Sequence, residues 1–116
     1  MEKVDTYKKI VRRVVENVAA LSLPIENGIE NQLITDDEHG HYLYFGVGWE
    51  GCNTGYFYAS FVHIDVKTDG KVWLQHDGTS LHIAQQLTEK GIPKSDIVIG
   101  FQAPAIRPYM DGYALS

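Results

Sequence analysis

The chain has 116 residues, of which 44% are hydrophobic and 22% charged, the make-up of one domain with enough apolar content to build its own core. The single cysteine, Cys52, excludes an internal disulfide, and no apolar run approaches the ~20 residues that a membrane-spanning helix needs. A net charge of −5 argues against a protein built to neutralise nucleic-acid phosphates.

The N-terminal stretch MEKVDTYKKIVRR carries charge where a secretory signal needs an apolar core. With the lone cysteine, this predicts a cytoplasmic protein. The first predicted element is a helix from Lys3 to Leu21. Val4, Tyr7, Val11, Val14, Val18 and Leu21 recur at three- and four-residue spacing and make one apolar stripe. Valine is a mediocre helix former because its χ1 is confined, but the pairwise pattern KK-IV-RR-VV has a period that a strand cannot use. Lys8, Lys9, Arg12 and Arg13 alternate with the apolar pairs and read as the wet face of the helix. Pro24 ends it.

A short strand from Glu30 to Thr35 follows. DDEHG, residues 36–40, is a turn in which Gly40 is free to take positive φ. Leu43, Phe45, Val47 and Trp49 then alternate with Tyr42, Tyr44, Gly46 and Gly48, the period of a strand with two unlike faces. Gly46 and Gly48 leave room for another segment, or a ligand, to approach the backbone. GWEGCNTG, residues 48–55, is a polar turn. Tyr56 to Val66 is the third strand and Lys71 to Asp77 the fourth.

Thr79 or Ser80 is expected to cap a helix that runs through Lys90. Leu81, Ala84 and Leu87 face inward with Ile83 beside them. Gly91 is placed as the C′ residue, and Pro93 prevents continuation. KSDIVIGF, residues 94–101, reads as a helical turn or an edge strand. The tail APAIRPYMDGYALS, with its two prolines, is expected to lie extended across the surface. Short connections favour antiparallel neighbours. The predicted fold is therefore α+β, with residues 1–116 as one domain. It has an antiparallel meander of about four strands, an N-terminal and a C-terminal helix packed on one face, and an extended C-terminal tail. A meander leaves open edges, and forming a homo-oligomer is one way to protect them.

HIDVKTDGKVWLQHDGT, residues 63–79, holds two histidines and three aspartates, and strand register decides what they can do. A two-residue loop at Asp69-Gly70 would set Val62, Ile64 and Val66 on one face with Trp73, Gln75 and Asp77, burying polar groups with apolar ones. A three-residue loop, Thr68-Asp69-Gly70, sets Val66 against Val72, Ile64 against Leu74 and Val62 against His76. That register separates the faces and is the one expected. It places His63, Asp65 and Asp77 together and His76 on the opposite face. Same-face neighbours on a flat sheet stand about 5–7 Å apart, which is wide for shared coordination, and no activated nucleophile accompanies the cluster. The expectation is no metal, no cofactor and no catalytic residue. His63, Asp65 and Asp77 are read as a hydrogen-bonding cluster on a half-covered sheet face. Asp77 also places negative charge near the start of the next helix.

GWEG at 48–51, HIDVKTDGKVWLQHDGT at 63–79 and GIPKSDIVIGFQAPAIRPY at 91–109, preceded by IENQLITDDEHGHY at 29–42, together resemble the XisI family. The resemblance covers nearly the whole chain, and its specificity lies in the ordered set. It implies a small α+β domain. It also implies a non-enzymatic accessory factor in the control of excision of a DNA element, the fdxN element of cyanobacterial heterocysts. Such a factor would act beside the excisase recombinase and commonly with XisH, a protein that resembles nucleases. No catalytic residue carries over.

An acidic accessory factor would dock on a basic, nuclease-like partner by charge complementarity. Exposed aromatics and arginine would supply most of the interface energy. Tyr42, Tyr44, Tyr56, Tyr58, Trp73, Arg107 and Tyr109 are the candidates, with Arg107 and Tyr109 flanking Pro108 in a segment able to cross the sheet. Two other readings stand beside this one: direct DNA binding through Lys8, Lys9, Arg12 and Arg13, and a hydrolase or nuclease that uses His63, Asp65 and Asp77.

Overall fold

The apolar stripe of the N-terminal segment forms a helix, α1 (Glu2–Leu21), in a computed structural model that describes residues 2–21, 28–50 and 55–116. Pro24 and the part of the polar turn around Cys52 lie outside the described residues. Val4, Tyr7, Val11, Val14, Val15 and Val18 are buried. Each valine gives up roughly half a kcal/mol of helix propensity relative to alanine, while burying its side chain returns about 1.5 kcal/mol or more, so packing decides the outcome. Leu21, assigned to the stripe, is 69% exposed. Val15 joins the stripe instead, because positions 11, 14, 15 and 18 follow the 3.6-residue repeat.

Among the described residues the sheet has five strands in sequential order. They are β1 (Ile29–Asp36), β2 (His41–Glu50), β3 (Gly55–Val66), β4 (Val72–Asp77) and β5 (Ile97–Ile99). The first four pair antiparallel, as expected. The fifth extends the meander of about four strands by a short edge strand. KSDIVIGF splits into a 3₁₀ turn at Lys94–Asp96 and the strand β5, which pairs parallel with β4. A helix, α2 (Ile83–Glu89), carries the chain from the end of β4 back toward its start, so the next strand runs in the same direction. Ala114 of the tail bridges Val98 in parallel, which ties the tail to the outer edge of β5.

The core lies between the helices and one face of the sheet. Tyr42, Tyr44, Val62, Ile64, Val66, Val72 and Leu74 all point into it, joined by Ile83 and Leu87 of α2. Tyr42 and Tyr44 are thus core residues and not docking aromatics, because β2 turns its even-numbered positions toward α1. Gly46 shares that face. A Cβ there would stand 2.9 Å from the Phe57 ring and 3.1 Å from the Phe61 ring, so the close neighbours are this chain's own phenylalanines.

The β3–β4 hairpin has the three-residue loop. Lys67 N–H donates to the Lys71 carbonyl at 2.9 Å, Gly70 N–H donates to the Lys67 carbonyl at 3.1 Å, and Gly70 has φ 89°. Val66 faces Val72 and Ile64 faces Leu74, as the segregation of faces requires. The predicted pairing then fails by one residue. A bulge at Gln75 sets His63 opposite His76 and Val62 opposite Asp77. A bulge puts two residues of one strand against one of its partner, and every position beyond it shifts relative to the ideal register. Asp77 therefore leaves the polar face.

α2 also begins later than predicted. Neither Thr79 nor Ser80 is its cap. His82 precedes the helix at φ 54° without a side-chain cap bond, and the Asp77 carboxylate accepts from Ile83 N–H at 3.3 Å. The C-terminus is as expected. Gly91 N–H donates to the Thr88 carbonyl and Ile92 N–H to the Leu87 carbonyl, each at 3.1 Å, which is the Schellman pattern with a buried residue after the glycine.

Candidate functional site

The sheet face turned away from α1 carries a polar cluster at the junction of β2, β3 and β4. The β2–β3 register places His41 opposite Asp65. The two-residue repeat of β3 puts His63 on the same face as Asp65. His41 Nδ1 donates to Asp65 Oδ1 at 2.8 Å, and His63 Nε2 donates to the same oxygen at 3.0 Å. Gln75 Nε2 donates to Asp65 Oδ2 at 3.2 Å. The bulge at Gln75 is therefore more than a fault in pairing, since the residue it sets off secures the second carboxylate oxygen.

Asp65 is buried. Burial opposes its ionisation. The hydrogen bond from His41, the nearby charge of His63 and the bond from Gln75 together outweigh that effect and hold the carboxyl below its ordinary range. An ionised carboxylate only accepts, so the bonds assign the proton of His41 to Nδ1 and that of His63 to Nε2. His39 stacks beside His41, with ring centroids 6.5 Å apart. It also bonds Asp36 through Nδ1 at 2.9 Å. A cleft of about 440 Å³ opens here, bordered by His39, His41, Asp65 and Trp73.

Of the predicted trio, the structure brings His63 and Asp65 together and separates Asp77. The Asp77 carboxylate accepts from Thr79 N–H at 2.9 Å, from the Thr79 hydroxyl at 2.6 Å and from Ile83 N–H. Its role is structural. His76, expected on the opposite face, is set directly opposite His63 by the same bulge; it is exposed, and the hydrogen bonds that hold Asp65 come from His41, His63 and Gln75. His41 is the residue that sequence reasoning missed. The signal was present: pairing apolar Tyr42 with apolar Ile64 across β2 and β3 sets His41 against Asp65. A register shift between Tyr44 and Phe45 lies between the turn and this pair, so counting back from the turn does not reveal it.

The remaining docking candidates separate into two places. Arg107 lies over the Trp73 ring, 5.2 Å from its centroid. It donates to the carbonyls of Gln102, Gly100 and Leu115 at 3.2, 3.3 and 3.4 Å. Both side chains are half-buried by this arrangement. Tyr109 is 84% exposed. Along the β2–β3 hairpin, Trp49 meets Tyr56 at a tilt with ring centroids 5.0 Å apart, and Tyr58 meets Phe45 edge-on at 5.5 Å; Trp49, Tyr56 and Tyr58 are all exposed. The basic face of α1 is interrupted by acid. Arg12 binds Glu16 and Asp37, and Asp37 also accepts from the Tyr42 hydroxyl at 2.8 Å.

Comparison with known proteins places this geometry. A family model described as XisI protein matches residues 1–115. None of the curated proteins compared is similar enough to count as a match. The chain is similar to a crystal structure of a XisI-like protein from Anabaena variabilis. That match has 37% identity and a TM-score of 0.87, and it covers 97% of this chain and 99% of the other. It is also similar to the fdxN element excision controlling factor XisI of Anabaena variabilis, at 25% identity and a TM-score of 0.87 over 98% of this chain and 99% of that one. Family pattern and fold agree along the full length, and the chain belongs to the XisI family.

Proposed function

We propose that this chain is an accessory factor in the control of DNA-element excision, acting by docking on a nuclease- or recombinase-type protein of the XisH kind and performing no chemistry of its own. The observation that carries the reading is the full-length match to a family with a solved member named as an excision controlling factor. A net charge of −5 supports it, since an acidic factor is drawn to a basic DNA-handling partner faster and more selectively than to the DNA itself. Trp49, Tyr56, Tyr58 and Tyr109 supply the exposed aromatic surface that interface energetics favour.

The test is co-expression with an XisH-like protein followed by size-exclusion chromatography. One peak containing both chains supports the reading, and separate elution at micromolar concentration overturns it. The same column reports whether the chain self-associates, for instance through the edge strand β1. Direct DNA binding through Lys8, Lys9, Arg12 and Arg13 is less favoured, because Arg12 already engages two carboxylates. Duplex binding measured at two salt concentrations separates the readings, since a basic-face binder weakens steeply as salt rises.

A further inference from the structure

The polar cluster on the open sheet face has the composition and spacing of a cation site. Its three members come from two adjacent strands, and their donor atoms all lie within 4.8 Å of one another. We propose that His41, His63 and Asp65 form a binding site for a divalent first-row transition-metal ion of the zinc type. This goes beyond the accessory-factor reading and does not depend on it.

Geometry is the first argument. Two ligands about 2.1 Å from a tetrahedral zinc ion stand about 3.4 Å apart. Asp65 Oδ1 lies 2.8 Å from His41 Nδ1 and 3.0 Å from His63 Nε2, so both carboxylate–imidazole edges come within about 0.6 Å of that length and need only widen slightly around an ion. The imidazole–imidazole edge lies within 4.8 Å. It closes by small rotations of two partly exposed rings, 48% and 32% accessible, while the carboxylate stays fixed.

Ligand chemistry is the second argument. Two imidazoles and one carboxylate suit zinc and its neighbours, and fit calcium or magnesium poorly, since those ions call for oxygen. The two nitrogens that face Asp65 Oδ1 each carry a proton in the bonds described above. A cation would take the place of those two protons along the same directions, and each ring would move its proton to its other nitrogen.

The surroundings are the third. Gln75 holds Asp65 Oδ2 at 3.2 Å, an outer partner of the kind that orients a ligating carboxylate. This partner is supplied by a bulge that disrupts the hairpin to place it. The cleft bordered by His39, His41, Asp65 and Trp73 gives an ion a way in and leaves room for water to complete the shell. Three protein ligands with an open position is a recurrent zinc arrangement.

The experiment uses the full chain, stripped with a chelator and dialysed. Zn²⁺ is titrated by calorimetry, and Co²⁺ is followed by its visible absorption bands. The expected result is one ion per chain, with the cobalt spectrum of a nitrogen- and oxygen-ligated site. His41→Ala and Asp65→Asn should each weaken zinc binding by about tenfold or more, while His76→Ala should leave it unchanged. His41 is half-exposed, so its substitution leaves the fold intact by far-ultraviolet circular dichroism even if Asp65→Asn does not. The proposal is overturned if the wild-type chain binds no stoichiometric zinc, or if binding survives His41→Ala undiminished. In either case the cluster is a hydrogen-bonded one only, and the partner experiment stands unaffected.

Discussion

The Tyr7 hydroxyl donates a 2.5 Å hydrogen bond to Asp96 Oδ2, joining residues 89 positions apart in the chain. Lys3 Nζ reaches the same oxygen at 3.0 Å. Burial alone would raise the Asp96 pKa, but the bonds from Tyr7 and Lys3, with the charges of Lys3 and Lys71, hold it below the ordinary carboxylate range. Tyr7, buried and facing that carboxylate, is pushed up to about 12. Folded Asp96 binds its proton less tightly than unfolded Asp96. Its contribution to stability is therefore present above the ordinary value of about 3.9 and is lost as pH falls through the lower folded value. Tyr7 has the opposite sign. Its contribution holds below about 10 and is lost as pH climbs toward the folded value. Tyr7→Phe should cost about 1–3 kcal/mol at neutral pH, the usual loss when a buried charged acceptor is deprived of a donor. Urea midpoints of wild type and variant at acid, neutral and alkaline pH check this. The variant should show a shallower loss at both extremes, and an unchanged profile would contradict the account.

Gly40 is a second point where one atom matters. It has φ 75°, its carbonyl accepts from Val66 N–H at 2.8 Å, and an added Cβ would stand 2.3 Å from the Val66 carbonyl oxygen. Gly40→Ala combines left-handed strain, about 1–3 kcal/mol, with a backbone clash that only a shift of β3 relieves. The expected loss is about 3 kcal/mol or more, read as a fall in thermal midpoint. Because the Gly40 carbonyl accepts from Val66 N–H beside the His41–Asp65 pair, a shift there displaces His41, and the variant should also weaken any zinc binding.

These two positions show what local reasoning reaches and what it does not. The positive-φ role of Gly40 follows from residue type and a turn, and the Thr68-Asp69-Gly70 loop follows from the alternation of Val62, Ile64 and Val66 against Val72 and Leu74. Both are short-range constraints. The Gln75 bulge is invisible to that logic, because nothing in KVWLQHD marks where a ladder slips, so Asp77 was assigned to the wrong face. β5 is three residues long, too short to show a period, and its direction depends on the α2 crossover. The cluster itself was half legible: His63 and Asp65 share a strand, but His41 reaches them only through a register set by core packing of Tyr42 on Ile64. Tyr42 and Tyr44 were misread because a tyrosine suits a core and an interface equally well, and only the face turned toward α1 distinguishes the two.

Arg107 closes the C-terminal segment onto the sheet. Its guanidinium binds three carbonyls and covers Trp73. Arg107→Lys keeps the charge and loses the planar fork, so it should cost about 1–2 kcal/mol and act locally. Hydrogen exchange should rise in residues 101–116 with β2 and β3 unchanged, and Trp73 fluorescence should move toward that of a hydrated indole. A uniform rise across the sheet would place the effect elsewhere.

Asp77 provides the sharpest contrast with Asp65, since both carboxylates come from one hairpin and the structure gives them unlike tasks. Asp77 Oδ1 takes the Thr79 amide and hydroxyl, and Oδ2 takes the first amide of α2. Those bonds hold the positive-φ turn at His82 and bring Ile83 and Leu87, both fully buried, against the core. Asp77→Ala should therefore destabilise the chain by about 1–2 kcal/mol, the scale of a lost helix cap. Asp77→Asn keeps one acceptor oxygen and should cost less. Neither variant touches the cluster around Asp65, so zinc titration of the folded variants should match wild type. If Asp77→Asn abolished metal binding at unchanged stability, the trio expected from sequence would be the true ligand set, and the bulge that separates it would have to be wrong.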